Sequence, residues 1–316
     1  MADTINKTVK DNSLGGVFTE VLHDEKIGLH VPEKIRLFYL DIRNNRFDLE
    51  KLKTKLYYNL GQYAFSRAMI DRFTKAGNKD VIISQAQKIL RDKGIDIKGT
   101  GAELGELLLY VFLEEKLGAP KLMSRIETAV DCKDYKSLPD NIHLLPSSVS
   151  GVPYHQMVFG ASSIVGEIKY AINEVFERIA RIEQREKDEL TMIDNLVLNT
   201  PANRFSSKED IEFLQRMFLP VEGRKQPKAT SYAVFLGYTI GLDPENYSID
   251  EFPSLVEEKI VDDLKRHLPL IVEKIRENNL GIHSFYFYIV PFNDAETNKK
   301  AVMEDILKGD VNLWPT

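Results

Sequence analysis

The chain of 316 residues is 43% hydrophobic, enough apolar material for a full core in one large domain or two modest ones. Lys and Arg total 42 against 48 Asp and Glu, a formal net charge of −6. That balance excludes a dedicated, high-charge nucleic-acid coat protein, because phosphate binding draws on a concentrated positive field; a nuclease that borrows attraction from a divalent metal, a local basic patch or a partner subunit stays open.

The polar start, MADTINKTVKDNS, lacks the basic and apolar regions of a secretory signal, so a cytoplasmic protein is expected. KIRLFYLDI, Lys34 to Ile42, is rich in β-branched and aromatic residues and predicts a strand, closed by the turn signal RNNRFD. From Asp48 to Phe73 the residues Leu49, Leu52, Leu56, Leu60, Tyr63, Phe65, Ala68 and Ile70 recur at three- and four-residue steps, the pattern of an amphipathic helix. A second helix is expected from Val81 to Arg91, before the glycine-broken DKGIDIKGTG. The third, AELGELLLYVFLEEKLG, carries Leu104, Leu107, Leu108, Val111, Phe112 and Leu117 toward a core, sets Glu106 beside that stripe, and stops at Gly118, a C-terminal cap residue. It contains the longest apolar run of the chain, LLLYVFL, far below the ~20 residues that cross a bilayer, so no membrane partner is expected.

Three short strands are expected next, APKLMSRIE, NIHLL and YHQMVFG, separated by loops with Pro, Ser and Gly. Cys132, between the first two, is the only cysteine; it leaves no internal disulfide and no thiolate-rich zinc cage, and it agrees with a reducing compartment. Gly166 to about Asp188 reads as a helix with Ile168, Ile172, Val175, Phe176, Ile179 and Ile182 on one face. Ser231 to Leu242 reads as a strand, Ile249 to Asn278 as one or two helices interrupted near Pro269, His283 to Phe292 as a strand, and Lys299 to Leu307 as a short helix. The order predicts an α/β fold, a mixed central sheet with flanking helices.

Metal-dependent phosphodiester cleavage needs carboxylates that hold one or two divalent cations, and oxygen ligands of this kind suit magnesium or manganese. A glutamate from a helix, an aspartate at a strand start and a glutamate-x-lysine pair at the end of the next strand can supply them, because alternate strand residues share a face. Glu106, Asp140 and the joint at Gly160 occupy those places in order. By themselves Glu106 reads first as a boundary residue and Asp140 as a turn aspartate after Pro139. His143 reads as a half-buried strand residue rather than a ligand. GRKQPK, Gly223 to Lys228, and LKRH, Leu264 to His267, are candidate phosphate or partner contacts, although such runs are usually solvated surface. The aromatic strand SFYFYIVPF reads as core rather than as a base-stacking platform.

The run GAELGELLLYVFLEEKLGAPKLMSRIE, then PDNIHLL, then MVFG leading into a helix with YAINEVFERI, resembles the nuclease subunit of the Hachiman anti-phage defence system, the HamA family. That family is similar to restriction-type nucleases of the PD-(D/E)xK class. The similarity covers Gly101 to Ile182, with looser agreement in the strands at Phe235 and Phe287. It implies a restriction-endonuclease-like core over 101–316 behind an N-terminal strand-plus-helices region over 1–100. It also implies a DNA-directed effector, a DNase dependent on Mg2+ or Mn2+ that partners a superfamily 2 helicase. Carried over by residue, Glu106 matches the helix glutamate and Asp140 the strand aspartate, both metal positions. The family then places Gly-Glu-x-Lys, and this chain reads Gly160, Ala161, Ser162, Ser163, with Ala161 at the Glu position and Ser163 at the Lys position.

Three accounts of that departure are open. Glu167 and Lys169 in GEIK could take over from the next helix, although residues two apart on a helix diverge by ~200° and do not form a pair facing one way. The subunit could be a natural pseudonuclease, or the sequence a deliberately inactivated variant. A different class of function, a non-catalytic interaction subunit that binds and restrains a helicase, is the alternative.

Overall fold

A computed structural model of the chain describes residues 5–9, 12–93, 99–131, 136–149, 152–199, 201–218 and 228–313. Cys132 lies outside them, as does the basic run 223–228 apart from the backbone of its last residue. The described residues form a mixed sheet of seven strands flanked by helices, the expected α/β class. In chain order its strands are β1 (Phe18–Val21), β2 (Glu33–Leu40), β5 (Lys121–Ser124), β6 (Asn141–Val149), β7 (Val152–Ile164), β8 (Lys228–Thr239) and β9 (Ser284–Phe292). A small hairpin of β3 (Ile42–Arg43) and β4 (Arg46–Phe47) stands apart.

Across the sheet the order is β1-β2-β9-β8-β7-β6-β5. The four middle strands, β2, β9, β8 and β7, run parallel, and β1, β6 and β5 are antiparallel additions at the two sides. Parallel strands covered on both faces carry apolar residues continuously rather than alternately. All nine residues of β9 are buried, so SFYFYIVPF is core, as its composition suggested.

On one face lies α4 (Glu103–Phe112), buried along its whole length, with Phe112 packed 6.0 Å from Phe235 of β8 and 5.1 Å from Tyr288 of β9. It continues into a π-helical turn, Leu113–Leu117, and ends on Gly118 at φ 76°, where a residue without Cβ carries no steric cost. Outside α4 pack α1 (Leu49–Ala64) and α11 (Ala295–Lys308), with α3 (Ile82–Lys93) beside them. The other face is covered by α6 (Ile168–Gln184), whose stripe includes Ile168, Ile172, Val175, Phe176, Ile179 and Ile182, and then by α10 (Phe252–Glu277).

Several boundaries differ from the sequence reading. The expected helix over Asp48 to Phe73 is two, α1 and α2 (Arg67–Lys75), because Phe65 and Ser66 are extended and the Ser66 side chain caps the second by accepting from Met69 N–H. The strand expected through Glu127 stops at Ser124 and becomes α5 (Arg125–Asp131). The helix expected to run to Asp188 ends at Gln184, and α7 (Glu186–Asn199), α8 (Pro201–Arg204) and α9 (Lys208–Phe218) follow. Pro269 sits exposed inside an unbroken α10, with no interruption there. Among the described residues no helix is long and apolar enough to cross a membrane.

Candidate functional site

The site lies where α4 crosses the C-terminal end of β7. Gly105 permits the approach: a Cβ there would stand 2.7 Å from Ser162 Oγ and 2.9 Å from Ser162 Cβ. The next residue, Glu106, is 2% exposed. Its Oε2 accepts from the Tyr63 hydroxyl of α1 at 2.8 Å, and its Oε1 accepts from the Arg125 guanidinium. Its backbone carbonyl accepts from Asn141 Nδ2 at 3.2 Å, which ties α4 to the start of β6.

Asp140, just before β6, has no solvent exposure. Its N–H donates to the Gly160 carbonyl at 2.9 Å, and its own carbonyl accepts from Arg125 N–H at 2.9 Å. Arg178 Nη1 of α6 donates to Oδ1 at 2.5 Å, and Arg125 Nη2 lies 3.2 Å from the same oxygen. Ser162 Oγ donates to Oδ2 at 2.6 Å. Glu106 and Asp140 are therefore brought together, through one guanidinium that touches both.

Strand alternation decides the other two positions. Gly160 and Ser162 face α4, since a Cβ at 160 would meet Leu109 and Ser162 lies against Gly105. Ala161 and Ser163 therefore face α6; Ala161 is fully buried and Ser163 Oγ donates to Glu174 Oε2 at 2.6 Å. Ala161 and Glu106 stand on opposite faces of β7, and Asp140 draws donors from both sides. Glu167 and Lys169 pair with each other at 3.0 Å, their side chains 62% and 48% exposed, and Lys169 Nζ lies 4.8 Å from the Tyr170 ring centroid. The GEIK pair thus makes a solvated bridge at the start of α6, where Glu167 is still extended as the N-cap residue and so escapes the divergence expected of helical spacing.

His143 is fully buried, not half-buried. Its Nδ1 donates to the Ala119 carbonyl at 2.7 Å, and burial pushes the imidazole down to about 3. LKRH lies within α10: Leu264 is buried, Lys265 and Arg266 are exposed, and His267 Nδ1 donates to the Asp263 carbonyl at 2.8 Å.

The residues that sequence reasoning missed are Tyr63, Arg125, Ser162 and Arg178. A signal existed for two of them. Arg125 and Arg178 are cations next to apolar stretches, in KLMSRIE and NEVFERI, and cations so placed find carboxylates. A second buried charge group adjoins the first. Lys121 Nζ reaches the Tyr63 and Phe65 carbonyls at 3.2 and 3.1 Å, capping the C-terminal end of α1, and it pairs with Glu127, which also holds Arg204 at 3.1 Å.

Tested against a divalent cation, the residues do not fit. All four oxygens of Glu106 and Asp140 already accept from Tyr63, Ser162, Arg125 or Arg178. Two guanidiniums offset the two carboxylates, and Ala161 adds no side-chain oxygen. Among the described residues no three His, Cys, Asp or Glu side chains come together as a metal-binding group.

A search of curated proteins returns no match. The family model of HamA matches residues 16–306, nearly the whole chain and well beyond the segment that carried the resemblance. The chain belongs to the HamA family, that of a subunit of the Hachiman antiviral defence system.

Proposed function

We propose that this chain serves the Hachiman complex as a DNA-directed subunit that works through a helicase partner while its own cutting centre is closed. The observation that carries the reading is the pairing of Asp140 and Glu106 with Arg125 and Arg178, beside an alanine and a serine where the family's glutamate and lysine belong. Phosphodiester hydrolysis with Mg2+ or Mn2+ needs carboxylate oxygens free to hold the ion and a group that orients the attacking water. Here the oxygens are committed and neither group is present at 161 or 163.

The partner, a superfamily 2 helicase, and the substrate, DNA, come with the family reading. Binding either does not require a metal centre, because a fold keeps its surface when a site is lost. The test uses the full chain, alone and with its helicase, in magnesium or manganese with supercoiled plasmid. The expected result is a stable complex without plasmid cleavage. Cleavage by the unaltered chain that Asp140→Asn abolishes would overturn the proposal, and so would failure to bind the helicase. The double substitution Ala161→Glu with Ser163→Lys places both side chains on the α6 face beside Asp140 and Glu174, and any recovered cutting should depend on both.

A further inference from the structure

We infer that Arg125 is the resident cation of this site: its guanidinium holds Glu106 and Asp140 together as a divalent ion would, and Arg178 completes the neutralisation. This deepens the preceding reading of a closed centre. One nitrogen, Arg125 Nη2, touches Glu106 Oε1 and lies 3.2 Å from Asp140 Oδ1, so a single positive group bridges two carboxylates from different elements. The backbone fixes it there, since Arg125 N–H donates to the Asp140 carbonyl.

Burial makes a cation necessary. The two carboxylate side chains are 3% and 0% exposed, and a buried carboxylate without a positive partner carries a desolvation cost that folding does not recover. Ligand sets that exchange ions with solvent keep an open position; this one is filled from within by side chains of α1, α5, β7 and α6. A guanidinium suits the task because its planar donors engage two carboxylates at once and stay charged throughout the working pH range. The arrangement locks the end of β7 to the helices on both sides of the sheet.

The experiment measures Mn2+ binding by electron paramagnetic resonance and thermal unfolding for the full chain, R125M, D140N and R125M/D140N. The unaltered chain should bind no stoichiometric Mn2+ and show no metal-dependent shift in Tm. R125M should melt roughly 5–10 °C lower, and added Mn2+ should restore part of that loss, but not in R125M/D140N. Stoichiometric Mn2+ in the unaltered chain, lost in D140N, overturns the inference even if R125M fails to fold. An unchanged Tm for R125M, or no recovery with Mn2+, overturns it as well. Manganese at Asp140 without plasmid cutting would sink this inference alone, whereas plasmid cutting would sink the functional reading.

Discussion

Asp140 accepts a hydrogen bond from Ser162, while Ser163, one residue on, donates to Glu174 on the other face. The two serines are chemically identical and differ only in what they serve, so they make a clean comparison. A hydrogen bond to a buried charge is worth roughly 1.5–3 kcal/mol, and one to a partner near solvent about 1 kcal/mol or less. Glu174 is exposed and Asp140 is not. Ser162→Ala should therefore cost ~2 kcal/mol in urea unfolding and Ser163→Ala well under half of that; equal losses would remove Ser162 from the site. His143 yields a second residue-scale expectation. Its imidazole, normally near 6.5, is held at about 3 in the folded chain by burial. The folded state thus binds the proton more weakly than the unfolded state, stability is complete above about pH 6.5, and it drains away as the pH falls toward about 3. At pH 5 this one group removes ~2 kcal/mol. His143→Asn keeps a donor for the Ala119 carbonyl and loses the titration, so its stability should fall less steeply between pH 7 and pH 5. Parallel slopes for the two proteins would mean that the imidazole is not buried neutral.

Elements were legible where periodicity was long and illegible where tertiary pairing or capping decided. The stripe of α6 and the apolar length of α4 were readable because burial of one face, or of every face, leaves a pattern that no other environment produces. GASSI read as a joint, yet it is strand to Ile164, because β8 pairs with it from Ala161↔Val234 to Ile164↔Gly237 and overrides the weak local preference of Gly, Ala and Ser. The helix α9 was passed over although Ser207 stands three residues before Asp210 and its Oγ accepts from Asp210 N–H at 2.9 Å, a start signal present in the sequence. The site itself was half legible. Strand and helix order offered Glu106 and Asp140 as candidates and the family resemblance selected them, but two arginines from α5 and α6 reach them across the fold, and sequence spacing does not encode that meeting. At this scale Gly105 is the sensitive position. Alanine inside a helix ordinarily gains ~1 kcal/mol over glycine, while forcing a methyl group into a filled core costs roughly 1–3 kcal/mol. The obstructing Ser162 hydroxyl is tied to Asp140 and cannot swing aside, so the second effect wins. Gly105→Ala should lower stability, and the loss should shrink when Ser162→Gly is added; a stabilised single variant would show that α4 does not press on β7 as described.

Across the whole molecule, distant parts of the sequence meet on one buried polar layer beneath α1. Tyr63 joins the two charge groups, its hydroxyl on Glu106 and its carbonyl on Lys121 and Ser124. Arg204 brings in the helices after α6 through Glu127, and Glu114, fully buried in the π-helical turn, brings in the beginning of the chain. Glu114 accepts from the backbone N–H of Thr8 at 2.6 Å, of Val9 at 2.7 Å and of Lys121 at 2.7 Å, with the Arg67 guanidinium at 3.8 Å. Three backbone donors converge on one carboxylate, so the segment around Thr8 is held by a side chain more than a hundred residues away rather than by a sheet ladder. Glu114→Ala removes both acceptor oxygens and leaves the three buried N–H donors unsatisfied, at ~1–3 kcal/mol each. Amide hydrogen exchange at Thr8 and Val9 should then rise by at least tenfold, since ~1.4 kcal/mol of lost protection is a factor of ten. Protection in β8 and β9 should fall only as far as global stability does, because the parallel strands pair with one another independently of Glu114. If Thr8 and Val9 stay as protected as before while β8 and β9 loosen, the carboxylate supports the core and not the chain's beginning.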